Sequence, residues 1–232
     1  NSLLIDEQED FTLAETTFDH CESEIDGCAF FLNISSSPIL RDLTFKDIEF
    51  DKNASVVLNY YDFQDIYTVI SCNFIDNLFQ NTQHQDGGGS AMFIANCIRS
   101  EYESNYKLSF IGCTFSKNRA AYGGAFSYGN NVLVHDVELS FEKCTFSSNV
   151  AAQNQGGAIY VDITQPIHFE ACTFTDNSCH NPDSTAAKHG GAIYIANAAS
   201  VSISGSTFTE NTATDGNALY ITDILFAEIS NC

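Results

Sequence analysis

Short apolar segments recur along the chain, and apolar and polar positions alternate within them. Residues 190–195 are typical, because the isoleucines fall on one face and Ala192 and Tyr194 on the other. This alternation, with many β-branched and aromatic residues, predicts β-strands. An amphipathic helix would need about ten or more residues at a period of 3.6, and these segments are too short. The pattern therefore predicts an all-β chain.

A longer repeat lies over this alternation, anchored by a phenylalanine that occurs seven times. The seven are Phe18, Phe45, Phe74, Phe115, Phe146, Phe174 and Phe208. In the last five copies an asparagine follows three residues later, at Asn77, Asn118, Asn149, Asn177 and Asn211. Two residues before each phenylalanine we place the start of a coil, at Thr16, Leu43, Cys72, Cys113, Cys144, Cys172 and Ser206, and Cys232 would start the next. The first two copies are thus degenerate and the last five regular.

A glycine-rich element follows the asparagine position. It is most regular at Gly123, Gly124, Gly156, Gly157, Gly190 and Gly191. The apolar segments keep their internal spacing while the corners between them vary in length, as in a solenoid with insertions at its turns. We predict a right-handed parallel β-helix of about seven coils, each with three short strands. It forms one domain over residues 1–232, interpreted as a segment of a longer chain.

The repeated residues have expected structural roles, because in a parallel coil each residue lies above its copy. The phenylalanines should stack in the core, and the asparagines should form an amide ladder. The glycines supply the positive φ or close approach that a bend requires. The same residues form the candidate adhesion-type motif: Phe74, Asn77, Phe115, Asn118, Gly123, Gly124, Phe146, Asn149, Gly156, Gly157, Phe174, Asn177, Gly190, Gly191, Phe208 and Asn211.

An outward stripe of aromatic residues is predicted on the strand that follows the glycines. Its members are Phe31, Phe93, Tyr160, Tyr194 and Tyr220. Such a stripe is unusual on a solvated surface. Two explanations remain open at this point: corner insertions fold over the stripe, or a partner docks on it.

The charge of the chain is strongly negative. It has 30 acidic and 9 basic residues, a formal net charge of −21. This field argues against nucleic acid, anionic membrane surfaces and polyuronates as partners, whereas loosely bound calcium is compatible with it. The sequence has no apolar run of about 18 residues that would insert into a membrane. We expect no cofactor and no dedicated metal site.

Nine cysteines and two N-glycosylation sequons, at Asn33 and Asn53, favour an extracellular or cell-surface location. Cysteines stacked in register seldom reach disulfide geometry, so we expect buried thiols at the coil-start position. Disulfides are expected among corner residues instead. The candidate pairs are Cys21 with Cys28 and Cys172 with Cys179.

The pairing of F-x-x-N with G-G-A-[ILV] resembles the repeats of the polymorphic outer-membrane proteins of chlamydiae and related microbial surface proteins. The likeness is closest where Phe115, Phe146 and Phe174 precede their glycine pairs. It implies a right-handed β-helical domain on the cell surface, with roles in adhesion and self-assembly. Copies one and two depart from the family pattern.

Two classes of function are weighed. A non-enzymatic surface protein, either an adhesin or a self-associating fibre or coat subunit, agrees with the uniform repeat and the outward stripe. Its partner would be a protein or glycan surface, or copies of the chain joined end to end or laterally. The alternative is a polysaccharide lyase or hydrolase, which needs clustered carboxylates. Because Asp162, Glu170 and Asp176 recur on no fixed outward ladder, we prefer the non-enzymatic hypothesis.

Overall fold

The described part of the protein consists of β-strands that pair in parallel with their copies in the neighbouring coils. The computed structural model describes residues 3–7, 12–23, 30–34, 39–50, 56–60, 66–79, 92–95, 106–129, 137–153, 155–179 and 187–232. No helix occurs within these ranges. The pairing is in register over whole strands, so the predicted parallel solenoid is confirmed.

Four sheets run along the solenoid, numbered here in the order in which the chain visits them within a coil. Sheet 1 contains Thr12–Ala14, Ile39–Arg41, Ile66–Ile70, Tyr106–Ile111, Val137–Glu142, Ile167–Glu170, Ser200–Ser204 and Phe226–Ser230. Sheet 2 contains Thr17–Asp19, Thr44–Lys46, Asn73–Ile75, Thr114–Ser116, Thr145–Ser147, Thr173–Thr175 and Thr207–Thr209. Sheet 3 contains Glu22–Ser23, Glu49–Phe50, Leu78–Phe79, Arg119–Ala120, Val150–Ala151 and Ser178–Cys179. Sheet 4 contains Leu3–Glu7, Phe30–Ile34, Val56–Tyr60, Met92–Ala95, Phe126–Gly129, Ile159–Asp162, Ile193–Ala196 and Leu219–Thr222.

Sheet 3 corrects the prediction of three strands per coil. Its strands are two residues long, as in Val150–Ala151, and are too short to show an alternating pattern. Backbone hydrogen bonds define them, such as Val150 N to Asn118 O at 2.9 Å. The coil count also differs slightly from seven, because sheets 1 and 4 have eight described strands and sheet 2 has seven.

The phenylalanines form a continuous stack, as predicted, which we call the phenylalanine column. Successive ring centroids from Phe18 to Phe208 lie 4.7 to 5.0 Å apart, and the rings are within 8° of parallel. A second stack on sheet 1, formed by Phe110, Phe141 and Phe169, meets this column edge to face. Such edge contacts add to the hydrophobic burial of the rings. The core therefore lies between sheets 1, 2 and 4.

The predicted amide ladder, here the asparagine ladder, also forms. From Asn77 to Asn211 each side-chain nitrogen donates to the side-chain oxygen of the next asparagine at 2.9 to 3.0 Å. The oxygen of Asn149 also accepts from the backbone N–H of Asn118, and its nitrogen donates to Phe115 O. Buried amides in a low-dielectric interior are stable only when their donors and acceptors are satisfied, as they are here.

The glycine pair is required at the corner before sheet 4. Gly156 has a φ of 69°, a left-handed conformation that a side chain disfavours. Gly157 is needed for a different reason, because a Cβ there would overlap the carbonyl group of Gly191 in the next coil. The close approach of consecutive coils therefore explains why the pair recurs.

Candidate functional site

The outward tyrosines of sheet 4 stack as predicted, and we call Tyr160, Tyr194 and Tyr220 the tyrosine column. Their ring centroids are 5.2 and 5.5 Å apart, and the rings are within 5° of parallel. In-register pairing of the three strands produces this stack. Ser127 occupies the same position one coil earlier. The side chains of Phe31 and Phe93 lie outside the described part of the structure.

Corner residues cover part of the tyrosine column. The ring of Tyr122 packs edge-on against Tyr160 at 5.2 Å, and Tyr160 is only 5% exposed. His189, one coil earlier, lies 4.3 Å from the Tyr220 ring. Both covering residues directly precede a glycine pair. Of the two explanations left open by the sequence, folding of a corner over the stripe therefore applies at Tyr160. Within the tyrosine column, Tyr194 and Tyr220 are partly accessible.

Acidic groups lie on both sides of the tyrosine column. Burial raises the pKa of the Tyr194 hydroxyl, and the carboxylate of Asp162 adds to the effect. Asp162 accepts a 2.7 Å hydrogen bond from the Asn197 side chain. On the other flank His189 Nδ1 lies 3.3 Å from an Asp215 oxygen, close enough for an ion pair but not aligned as a hydrogen bond. A tyrosine held protonated can donate a hydrogen bond but is a poor nucleophile.

The candidate adhesion-type motif lies almost wholly inside the coil. Asn77, Asn118, Asn149 and Asn177 have no exposed surface, and five of the seven stacked phenylalanines are likewise fully buried. The glycines of the three regular pairs lie at the corner and are buried. These residues build and space the coil, so a partner would touch the side chains that they position rather than the motif itself.

The cysteines of the coil-start position are buried thiols, as expected, at Cys72, Cys113, Cys144 and Cys172. The neighbouring thiol of Cys113 and burial raise the pKa of Cys144 to about 12. Contact with Cys144 and burial likewise raise the pKa of Cys172. Thiols with a raised pKa stay protonated near neutral pH and are unreactive.

The predicted disulfide between Cys172 and Cys179 is not formed, because both residues remain thiols. Cys172 precedes sheet 2 on the core side, whereas Cys179 lies in sheet 3, beyond the Phe174 and Asn177 positions of the same coil. Burial raises the pKa of Cys179 to about 12. Cys21 is also a thiol. Its predicted partner Cys28, the sequon residue Asn53 and the side chain of Asn33 lie outside what the structure describes.

One outward surface was not anticipated from the sequence, although its signal is visible there as T-F-[ST]. On sheet 2 the residues on either side of each buried phenylalanine point outward. In the last four copies they are Thr114, Ser116, Thr145, Ser147, Thr173, Thr175, Thr207 and Thr209, which we call the hydroxyl face. All eight are partly or fully exposed. The buried phenylalanine between each pair dominates the repeat pattern, so the outward hydroxyl pair is less conspicuous in the sequence.

One acidic group within the described residues has the composition of a metal site. One ligand atom each from Asp19, His20 and Asp47 lie within 4.8 Å of one another at the surface. Lys46 already pairs with one of the two carboxylates, since its nitrogen is 2.8 Å from Asp47, and that hydrogen bond raises the lysine pKa. The arrangement resembles an exposed ion-pair network more than a cation site.

A family model described as the right-handed β-helix region matches residues 96–232, which is more than half of the chain. The chain belongs to this right-handed β-helix family. The handedness predicted from the sequence is thereby supported. No curated protein and no solved structure matches the chain. Among the described residues of this β-helix, no helical segment has the length and apolar character to span a membrane.

Proposed function

We propose that this right-handed β-helix is a non-enzymatic protein of the cell surface or extracellular space. It acts in adhesion, or as a self-associating structural subunit of a fibre or coat. The observation that carries the proposal is the repetition of the outer surface. The hydroxyl face presents similar groups over four successive coils, and Tyr194 and Tyr220 add two stacked, partly accessible rings on sheet 4. A repeated surface suits binding to an extended partner, whereas a catalytic site needs one singular cluster.

The resemblance to polymorphic outer-membrane protein repeats supports the same role, although the family match extends only to the β-helix. A net charge of −21 supports an uncharged or cationic partner and argues against nucleic acid. Glycosylation at Asn33 and Asn53 and loosely bound calcium belong to this proposal as consequences of an extracellular location.

The test combines binding and self-association of the purified 232-residue chain. Sedimentation and electron microscopy should show oligomers or filaments, or the chain should be retained on surfaces coated with glycan or protein. A chain that stays monomeric and is retained on none of them contradicts the proposal. Turnover of uronate or neutral glycans in a parallel screen would instead support the polysaccharide lyase or hydrolase alternative.

A further inference from the structure

Four cysteines form one buried column along the solenoid, which we call the thiol column. At most 1% of each is exposed, and they start four successive coils at Cys72, Cys113, Cys144 and Cys172. Ser206 holds the same position in the next coil, and Cys232 follows it. The buried thiols of Cys21 and Cys179 lie at other positions of their coils. The thiol column is therefore a cluster of metal-ligating side chains in the core.

The four thiols share one side-chain orientation. Cys113 Sγ donates to Ile111 O at 3.6 Å and to Val69 O in the preceding coil at 3.4 Å. The other three repeat both contacts with the equivalent carbonyl groups, at 3.4 to 3.8 Å. The phenylalanine rings two residues later repeat at 4.7 to 4.8 Å. Because the side chains repeat with the backbone, consecutive sulfur atoms lie about 4.8 Å apart.

A straight row of sulfur atoms restricts the kind of metal ion that it can hold. Zinc and iron–sulfur sites need four ligands arranged around one centre, whereas a point between two coils of the column has only two sulfurs within bonding reach. A soft ion such as Cu(I) prefers thiolates and is satisfied by two of them in line. Two collinear metal–thiolate bonds of about 2.3 Å span about 4.6 Å, close to the spacing of the sulfurs. That spacing is common to parallel sheets, so the distinguishing feature is sulfur in four consecutive coils.

We propose that the thiol column binds Cu(I), with one ion between each pair of consecutive sulfurs. Four sulfurs enclose three such positions. Each thiol releases its proton to solvent as the metal bonds form, and no electron is transferred. Three Cu(I) ions on four thiolates leave one net negative charge in the core. This inference is independent of the proposed surface function, and it departs from the expectation of no dedicated metal site.

The thiol column lies one residue beneath the protein surface, which gives a metal ion a short route to it. Each cysteine directly follows an exposed corner residue, namely Ser71, Gly112, Lys143 or Ala171. The corner at Gly112 carries no side chain, and a Cβ there would meet only Ser71 Oγ, at 3.8 Å. At this end of the column the Cys113 thiol lowers the pKa of Cys72. Loading therefore begins at Cys72, since the pKa values of the other three thiols are raised.

The experiment titrates the reduced 232-residue chain with Cu(I) without oxygen and counts the bound ions. X-ray absorption should show two sulfur neighbours for each ion. The double variant Cys113→Ser/Cys144→Ser removes both inner sulfurs, so no two cysteines of the column remain adjacent. It should bind three fewer ions per chain, one for each lost position. Serine fits the column, because Ser206 is buried there and its hydroxyl donates to Ser204 O at 3.2 Å.

The matched control is Cys21→Ser/Cys179→Ser, which removes two buried thiols outside the thiol column and should bind as many ions as the wild type. A third variant, Ser206→Cys, joins Cys172 to Cys232 and should add two ions per chain. It tests the inference even if the double variant fails to fold in thermal melts. Equal uptake by the wild type and a folded double variant overturns the inference. An equal loss in the control, no gain for Ser206→Cys, or three or more sulfur neighbours per ion does so as well.

Discussion

The first two coils and the later coils of this β-helix use the same core column but different polar partners. Phe18 and Phe45 stack at 5.0 Å, much as Phe115 and Phe146 do at 4.7 Å. At the asparagine position, however, the first two copies carry Cys21 and Ile48. The ladder ends where the backbone N–H of Ile48 donates to the Asn77 side chain at 3.3 Å. The aromatic column thus continues without the ladder.

The outer surface changes at the same boundary. Beside the first two phenylalanines the strands carry Asp19 and Lys46, and the corner adds Asp47. In the last four copies the equivalent strand positions hold only threonine and serine. The comparison indicates that the asparagine ladder and an uncharged outer face of sheet 2 occur together. Four predictions test this relation and are given in order of decreasing effect.

The phenylalanine column should matter most where the coils are regular. Phe146→Ala removes a fully buried ring stacked on both neighbours, and should lower the free energy of unfolding by about 4 kcal/mol. Phe18→Ala, at a half-buried ring, should cost about 2 kcal/mol. Denaturant melts measure both. Equal losses of unfolding free energy would show that the phenylalanines of the two regions are packed equally well.

The asparagine ladder should depend on its hydrogen bonds and not on side-chain volume. Asn149→Ile leaves the backbone N–H and side-chain N–H of Asn118 without their acceptor, at a cost of about 3 kcal/mol. The reverse change, Ile48→Asn, extends the ladder and should alter stability by less than about 1 kcal/mol. A small loss for Asn149→Ile in the same denaturant melts would mean that the ladder is dispensable everywhere.

The two kinds of corner glycine should respond differently to substitution. Gly157→Ala forces a Cβ into the carbonyl of Gly191, and overpacking of this kind costs about 2 kcal/mol. Gly205→Ala meets only ordinary contacts, and the equivalent residue one coil earlier is already alanine, Ala171, at a φ of 52°. Gly205→Ala should lower the free energy of unfolding by about 1 kcal/mol, because its backbone remains in the left-handed region. Thermal melts that rank the two in the opposite order would refute the close-approach explanation.

The buried thiols of Cys113 and Cys144, whose pKa values are raised, should make the fold weaken slowly at alkaline pH. The pKa of Cys144 is raised from 9.0 to about 12, so the unfolded thiol releases its proton before the folded one does. The stability it contributes is therefore complete below pH 9 and is lost as the pH rises towards 12. Cys144→Ser introduces serine, which already occupies the same position of a later coil at Ser206. The variant should lose about 1 kcal/mol less unfolding free energy than the wild type as the pH rises, as measured by denaturant melts at alkaline pH. If the unfolding free energy of the variant falls with alkaline pH as steeply as that of the wild type, other groups cause the loss of stability.

The repeat pattern alone was enough to predict the solenoid, its parallel register and the stacking of Phe, Asn and Tyr. These follow because identical residues at constant spacing pair most readily with their own copies. Sheet 3 could not be predicted, since strands such as Val150–Ala151 are defined by hydrogen bonds to the next coil and have no pattern of their own.

Tertiary packing determines which of the outward positions are exposed to solvent. Tyr160 and Thr145 both point away from the core, and local alternation treats them alike. The corner residue Tyr122 covers Tyr160, whereas Thr145 stays partly accessible on sheet 2. Cys172 and Cys179 are likewise placed by the folded chain, on different sides of the sheet 2 strand, and both remain thiols. Accessibility and side-chain pairing depend on neighbours far apart in the chain, so a one-dimensional repeat cannot specify them.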